Sequence, residues 1–177
     1  RDLVRSRGLG DVYKRQPSCF LSRGDAFLVI YADPKYTAHK ARVDGFLERL
    51  AERGIPEENG VIAATHRDYR KTAETVESAL AAHPNLRMVY MANPSVPACA
   101  EVLRSRGLAE KVHILSHDCG PEIQELLKSG EVDFTIGQDL AYQPYQALSV
   151  LFEALMGQRP DRDTYVTACP ILNSESI

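Results

Sequence analysis

The sequence has little of what marks several common classes of protein. It has no apolar run near the roughly 20 residues that a membrane-spanning helix needs. Lys and Arg together number 21 against 24 Asp and Glu, so the formal net charge is −3 and the basic surface of a nucleic-acid-binding domain is not expected. The cysteines show neither CxxC nor Cys/His ligand spacing: Cys19, Cys99, Cys119 and Cys169. This pattern favours structural thiols that stay reduced in a cytosolic setting.

Motifs that carry catalysis or hold cofactors are also missing. There is no GxGxxG, no GxxxxGK[ST] and no HExxH, so neither a phosphate-binding loop nor a zinc protease site is predicted, and we expect no metal and no cofactor. The triplet 117–119 (His-Asp-Cys) could suggest a thiol nucleophile. Adjacent residues of an extended chain point in alternating directions, however, so the histidine and cysteine flank the aspartate instead of forming a relay. The prediction is a protein without enzymatic activity.

What is present fits one soluble globular domain, with 177 residues of which 44% are hydrophobic and 25% charged. The first part, 1–16 (RDLVRSRGLGDVYKRQ), is basic and has no apolar periodicity. Its end, DVYKRQ, resembles a translated sequencing adapter. We therefore expect 1–16 to be a non-native tail and the natural protein to begin near Pro17, with an unknown upstream part lost.

The most informative stretch is 112–139 (VHILSHDCGPEIQELLKSGEVDFTIGQD). It reads as a strand at 112–116 that ends on polar residues, a helix from Gly120-Pro121 closed by Gly130, and a second strand at 134–137 that also ends on polar residues. Two consecutive strands therefore each deliver a carboxylate or an amide at the carboxyl edge of a sheet. In open α/β folds this edge binds ligands.

The rest of the chain repeats the same alternation of strand and helix. Apolar runs predict strands at 26–32, 60–64 and 87–92, and a weaker one at 165–168; helical periodicity predicts helices at 38–53, 69–82, 96–106 and 142–156. Short connections between such elements imply a three-layer α-β-α fold with a mostly parallel sheet. The apolar positions of helix 142–156 need a covering surface, part of which we expect to be missing from this chain.

Four pieces in this order resemble the type I periplasmic-binding-protein superfamily, which includes bacterial sugar-binding proteins and the effector domains of lactose-repressor-type regulators. They are TAHKARVDGF (37–46), AAHPNLRMVYMAN (81–93), LAEKVHILSHD (108–118) and LLKSGEVDFTIGQDLAYQPYQA (126–147). The last piece is the most specific, and the ordered set spans the chain from about Ser18 to its end.

The resemblance implies two lobes joined by three crossovers, with a ligand clamped between them. On this basis we expect 17–138 to be the C-terminal ligand-binding lobe, 139–167 a return segment into a missing N-terminal lobe, and 168–177 a final strand and tail. Any signal peptide or DNA-binding headpiece would have been lost with the missing lobe.

The resemblance also implies a set of ligand-binding residues on the wall of the cleft: Arg42, Arg67, Asn93, Asp118 and Gln138. An arginine fork, an amide and a carboxylate together donate to and accept from the hydroxyls of a monosaccharide or related polyol. Arg67 stands where relatives often place an aromatic residue, which hints at an acidic or unusually polar ligand.

Each of these residues also has a structural alternative. Arg42 could be a solvated helix charge, and Arg67 could be displaced by one position in the alignment. Asn93 could only cap the next helix or shape a turn, Asp118 could cap the helix that begins at Gly120-Pro121, and Gln138 could serve only as a hinge. Tyr36 and His39 lie near the cleft edge in this interpretation but are not predicted to bind ligand.

Two parent proteins are compatible with such a lobe. A lactose-repressor-type transcriptional regulator would be cytoplasmic, bind operator DNA through a missing headpiece and form a homodimer. The substrate-binding protein of a sugar ABC transporter would be periplasmic or extracellular and deliver its ligand to a permease. The strand-end His-Asp of ILSHD and the unpaired cysteines favour the regulator as the first expectation.

Overall fold

The computed structural model describes residues 20–158 and 168–177. In chain order its elements are β1 (Ala26–Tyr31), α1 (Thr37–Glu52), a short 3-10 turn (Glu57–Asn59), β2 (Gly60–Ala64), α2 (Tyr69–Ala82), β3 (Leu86–Ala92), α3 (Val96–Ser105), β4 (His113–His117), α4 (Pro121–Lys128), β5 (Phe134–Ile136), α5 (Tyr142–Leu155) and β6 (Ile171–Leu172). Each predicted strand and helix within this part of the chain is confirmed, with ends shifted by one or two residues. The weak strand predicted at 165–168 lies mostly outside the described residues, and Ala168 belongs to no regular element.

The strands form one sheet in the order β2-β1-β3-β4-β5-β6. β1 pairs in parallel with β2 on one side and β3 on the other, and β4 and β5 continue the parallel ladder. Only β6 is antiparallel, against β5. The chain thus moves outward from β1 to β2 and then crosses back to β3, so the connections on either side of β1 leave the sheet in opposite directions. This reversal opens a crevice at the carboxyl ends of β1 and β3.

Two hydrophobic clusters cover the two faces of the sheet, which makes the fold three-layered as predicted. One face carries α2, α3 and α4, packed on residues such as Leu28, Val89 and Ile114. The other face carries α1, whose Val43, Phe46 and Leu50 fall at helical spacing and pack beneath Phe27 and Tyr90. β1 contributes to both clusters, because its residues point alternately to each face.

Helix α5 differs from the others because none of its residues is buried. Its large apolar side chains are each more than half exposed: Tyr145, Leu148, Leu151, Phe152 and Leu155. A contiguous apolar surface of this kind is rare on a soluble monomer unless something covers it. The described residues leave these positions exposed, and the expectation that part of their covering surface is missing from this chain stays a prediction.

Gly60 allows β2 to approach β1 closely. A Cβ added there would lie 2.2 Å from the Phe27 ring, which is fully buried and held edge-on against Phe46. We expect Gly60→Ala to lower the free energy of unfolding by about 1–3 kcal/mol through overpacking. Gly24→Ala, whose new methyl meets nothing within 4 Å, is the matched control. Equal urea midpoints for the two variants would contradict this packing argument.

The exposure of α5 predicts a second outcome. Replacing Leu148 and Phe152 together by Gln should leave the free energy of unfolding within about 0.5 kcal/mol of wild type, because these side chains contact little of the core. The same double variant should reduce self-association in sedimentation velocity, since it breaks the apolar surface. Leu103→Gln, which places an amide at a buried core position, should instead be strongly destabilising. A large loss of stability in the double variant would show that α5 packs on the core.

Candidate functional site at the carboxyl edge of the sheet

All five predicted ligand-binding residues lie at the carboxyl edge of the sheet. Arg67 follows β2, Asn93 follows β3, Asp118 follows β4 and Gln138 follows β5, while Arg42 lies in the second turn of α1. Because parallel strands end at a common edge, residues 20 to 96 positions apart in sequence converge there. Their convergence can be followed through a chain of contacts.

His39, on α1, is the centre of this convergence. Burial lowers its pKa, the guanidinium groups of Arg42 and Arg67 lower it further, and the carboxylates of Asp118 and Asp33 oppose them. Charges act on a titratable group in this way only over short distances. Arg42, Arg67 and Asp118, from three different βα units, therefore act on one imidazole at the carboxyl edge.

Asp118 and Gln138 are joined directly. The Gln138 amide donates to Asp118 Oδ1 at 2.5 Å, and the Asp118 main chain is fixed by its N–H to Ile136 and by the Thr135 hydroxyl. The capping role considered for Asp118 is not seen: Gly120 caps α4, and no side chain bonds the helix N-terminus. The Asp118 carboxylate is thus oriented by the neighbouring strand, towards the cluster around His39.

Asn93 shapes the turn that follows β3, which was its structural alternative to ligand binding. Only 3% exposed, it accepts a bond from Ser95 N–H at 3.0 Å and donates to Thr65 Oγ1 at 2.9 Å. Thr72 Oγ1 also bonds Thr65 Oγ1, at 2.9 Å. Asn93 therefore ties the end of β3 to the end of β2 and to α2. One amide N–H and part of the carbonyl capacity remain, so its contact with a ligand stays a prediction.

The turn after β2 holds Arg67 in an unusual backbone conformation. Thr65 and His66 extend the pairing with β1 through bonds to Tyr31 and Ala32, and Asp68 caps α2 by accepting from Lys71 N–H at 2.9 Å. Between these anchors His66 (φ 53°) and Arg67 (φ 62°) are left-handed, as is Asp118 (φ 67°). These three are the non-glycine residues with positive φ in the described chain, and all three lie at the site. Such strain tends to gather at ligand-binding positions.

His117 and Cys119 do not form a catalytic pair. His117 is buried and its Nε2 lies 2.5 Å from the hydroxyl of Tyr90, which stacks on Phe46 on the α1 face. Cys119 packs instead against the cluster on the opposite face. The two side chains are separated by the sheet, as their alternation in sequence predicts. Burial, then the charge of Arg42 and His39, lowers the pKa of His117 well below its usual value.

Sequence reasoning missed Thr65 and placed His39 near the cleft edge without predicting a role for it. His39 lies three residues before Arg42 on the same face of α1, and that spacing could have linked the two residues. Thr65 directly follows β2, in the position that Asn93 occupies after β3. Its role was hidden because its partners Thr72 and Asn93 are contributed by other parts of the chain.

A comparison with family models gives one match, to the periplasmic binding protein domain, over residues 18–159. The chain belongs to this family. Within residues 20–158 and 168–177, no helix is long and apolar enough to cross a membrane, and no three side chains of the metal-ligating types come together. A search of curated proteins gives no match.

Solved structures with the same fold include several periplasmic binding proteins. GanP, a glucose-galactose binding protein from Geobacillus stearothermophilus, is 19% identical with a TM-score of 0.76, over 97% of this chain and 58% of its own. A solute-binding protein from Burkholderia graminis, in complex with D-arabinose, is 20% identical with a TM-score of 0.81, over 97% and 60%. One from Actinobacillus succinogenes, with bound D-allose, is 17% identical with a TM-score of 0.81, over 96% and 60%. The present chain therefore spans about three fifths of these binding proteins.

The burial of His117 predicts how stability depends on pH. In the unfolded chain this residue takes up a proton below its ordinary pKa of 6.5, whereas the native protein resists that protonation. Protons then favour the unfolded state, so the free energy of unfolding should fall as the pH is lowered below 6.5. His39 acts in the same direction.

His117→Gln should flatten this fall, as measured by urea denaturation between pH 7.5 and 5. Val89→Ala, which opens a cavity on the other face of the sheet, is the control: it should lower stability at every pH and keep the wild-type slope. An unchanged slope in His117→Gln would contradict the assignment.

Proposed function

We propose that this chain forms one wall of the sugar-binding cleft of a solute-binding protein that serves an ABC importer. The observation that carries the proposal is the cluster of Arg42, Arg67 and Asp118 around His39, at the crevice of the sheet. Ligands of open α/β folds bind at that position. We propose binding without catalysis, because the similar solved structures are named as binding proteins.

The chemistry of the wall suits a polyol. The Arg42 guanidinium is half-buried and makes no hydrogen bond or ion pair with another described residue, so its donors are available to ring hydroxyls. Asp118 retains acceptor capacity beyond its bond to Gln138, and Gln138 retains its carbonyl oxygen. Donors and acceptors side by side are what vicinal hydroxyls require.

A second lobe completes the cleft in this proposal. Residues 17–138 are assigned to the present lobe, 139–167 to the return segment and 168–177, which contain β6, to the final strand and tail; 17–19 and 159–167 lie outside the described residues. The exposed apolar side of α5 is the surface that the second lobe would cover. The length of the related solved structures supports this division, and the adapter-like origin of 1–16 stays a prediction.

The structure weakens the argument for a regulator. The His-Asp of ILSHD favoured that class, but His117 is buried against Tyr90, a packing role in the core that does not depend on DNA binding. Cys99 is fully buried, and burial raises the pKa of its thiol to about 12, so it is inert in either compartment. The solved relatives reported above are sugar-binding proteins, two of them named as ABC-transporter components, which favours transport and a periplasmic or extracellular location. The DNA headpiece and homodimer remain predictions of the regulator alternative.

The test is an NMR titration of the 177-residue chain with neutral monosaccharides. We expect amide shifts confined to the carboxyl edge, near His39, Thr65, Arg67 and Asp118. Saturation should require more than about 1 mM sugar, because a single wall leaves most of the ligand in water. Asp118→Asn and Arg42→Gln should reduce these shifts.

Two variants that lie far from the carboxyl edge serve as controls for the loss of a charge. Asp44→Asn and Arg49→Gln alter α1 residues that pair with Lys40 and Glu52 on the helix exterior, and they should titrate as wild type. Shifts scattered over the surface, or none at all at high sugar concentration, would contradict the proposed function. Submillimolar binding by this chain in calorimetry would contradict the two-lobe division.

A further inference from the structure

We propose that two copies of this chain associate through β2, whose outer edge pairs antiparallel with β2 of the second copy and extends the sheet across a two-fold axis at Ile62. The proposal goes beyond sugar binding and does not depend on it. It rests on the backbone groups along the outer edge of β2, on the residues of the strand itself, and on the charges that precede and follow it.

β2 is the terminal strand of the sheet, at the edge opposite to β6. The Thr65 N–H bonds to β1, and successive residues of a paired strand direct their backbone groups to alternate sides, so those of Ile62 and Ala64 face outward. These outward groups form no hydrogen bond within the described part of the chain. Gly60 faces outward too, although its N–H already donates to the Glu57 carbonyl and only its own carbonyl is left. The edge therefore offers donors and acceptors to another strand.

The strand lacks the features by which exposed edges usually avoid pairing. A proline, a bulge or a charged side chain would block a second strand, yet β2 reads GVIAA and keeps a regular register with β1 along its whole length. Its central residue, Ile62, is 38% exposed. A short, uncharged and apolar edge of this kind is a template for a further strand.

An antiparallel pair centred on Ile62 satisfies this edge better than the adjacent registers. Ile62 then lies opposite the same residue of the second copy, and the two exchange both N–H···O bonds, while the Ala64 N–H of each copy donates to the Gly60 carbonyl of the other. Centring the pair on Val61 or Ala63 would place Ala64 or Gly60, respectively, opposite a residue outside the strand. The geometry of the edge thus selects one symmetric register.

The charges on either side of β2 favour a second copy as the occupant of this edge. The segment before the strand, 56–59, carries two exposed glutamates, Glu57 and Glu58, and no cation. The segment after it, 65–71, carries three cations against one carboxylate: Arg67, Arg70, Lys71 and Asp68. A two-fold axis at Ile62 brings the acidic start of each strand beside the cationic end of the other. A parallel arrangement would instead bring like charges together.

Amide hydrogen exchange tests the pairing in the 177-residue chain carrying Leu148→Gln and Phe152→Gln, which break the apolar surface of α5 as a competing contact. In a monomer the outward amides of Ile62 and Ala64 exchange freely, whereas the amide of Ala63, which faces β1, is protected. We expect exchange at Ile62 and Ala64 to slow severalfold as the chain concentration rises from about 50 μM to about 1 mM, the range over which a small interface forms a weak dimer. Exchange at Ala63 should change little.

Substitutions at the two edges of the sheet test the same contact. Ile62→Lys places like charges opposite each other on the axis, and it should raise the dimer dissociation constant about tenfold or more in sedimentation equilibrium. Ile171→Lys is the matched control, because Ile171 is 36% exposed on β6 at the other edge, and this variant should associate like its parent. Glu57→Lys with Glu58→Lys should also weaken the dimer, since the acidic start of the strand is reversed. The amide spectra of the variants verify that they fold.

The outcomes decide the proposal without bearing on the sugar-binding wall. Exchange at Ile62 and Ala64 that is equally fast at every concentration would overturn it. So would a dimer that Ile62→Lys leaves unchanged, or one that Ile171→Lys disrupts as strongly. A dimer of equal strength after reversal of both glutamates would overturn the antiparallel arrangement, and the proposal with it.

Discussion

The position of β1 between β2 and β3 is the constraint on which the site depends. Because all three strands are parallel, their carboxyl ends meet at one edge of the sheet. The next strand, β2, is added on one side of β1 and the following strand, β3, on its other side, so the helices on either side of β1 separate there. The loops after β1, β2, β3 and β4 consequently open into one crevice. Any polar residue placed directly after one of these strands is brought to the site by the topology, whatever its distance in sequence.

The edge is also held rigid by polar bonds within the protein. Thr65 links Asn93 to Thr72, and Asp118 is fixed by Thr135 and Gln138, so the end of β2 is joined to the end of β3 and the end of β4 to the end of β5. Beneath them, Phe46 stacks on Tyr90, and the Tyr90 ring lies tilted against His117 at the end of β4. Rigidity of this kind lets left-handed residues persist, since the surrounding structure determines their backbone. It also reduces the ordering that a ligand must cause on binding.

Sequence reasoning predicted the elements well because their signals are local. A continuous apolar run such as 26–32 marks a strand buried on both faces, and Val43, Phe46 and Leu50 mark one face of a helix. The positions of Arg67, Asn93, Asp118 and Gln138 after strands were also visible in the sequence. What could not be predicted is which partner each side chain has, since Asn93 bonds a threonine 28 residues away. The left-handed turn at 66–67 was equally hidden, because neither histidine nor arginine signals it.

Because the wall is open to solvent in this chain, its residues would bind a ligand more weakly here than in a two-lobed protein. Arg67 is exposed and Arg42 is only half-buried, so water screens both charges here. The electrostatic interaction of a guanidinium with a polar group of the ligand strengthens as the effective dielectric constant falls from that of water towards that of a protein interior. In the proposed architecture, closure of a second lobe would make this change. Affinity would then arise from covering a wall that already has its final geometry, and the exposed apolar side of α5 would be the part of this chain that holds the covering lobe.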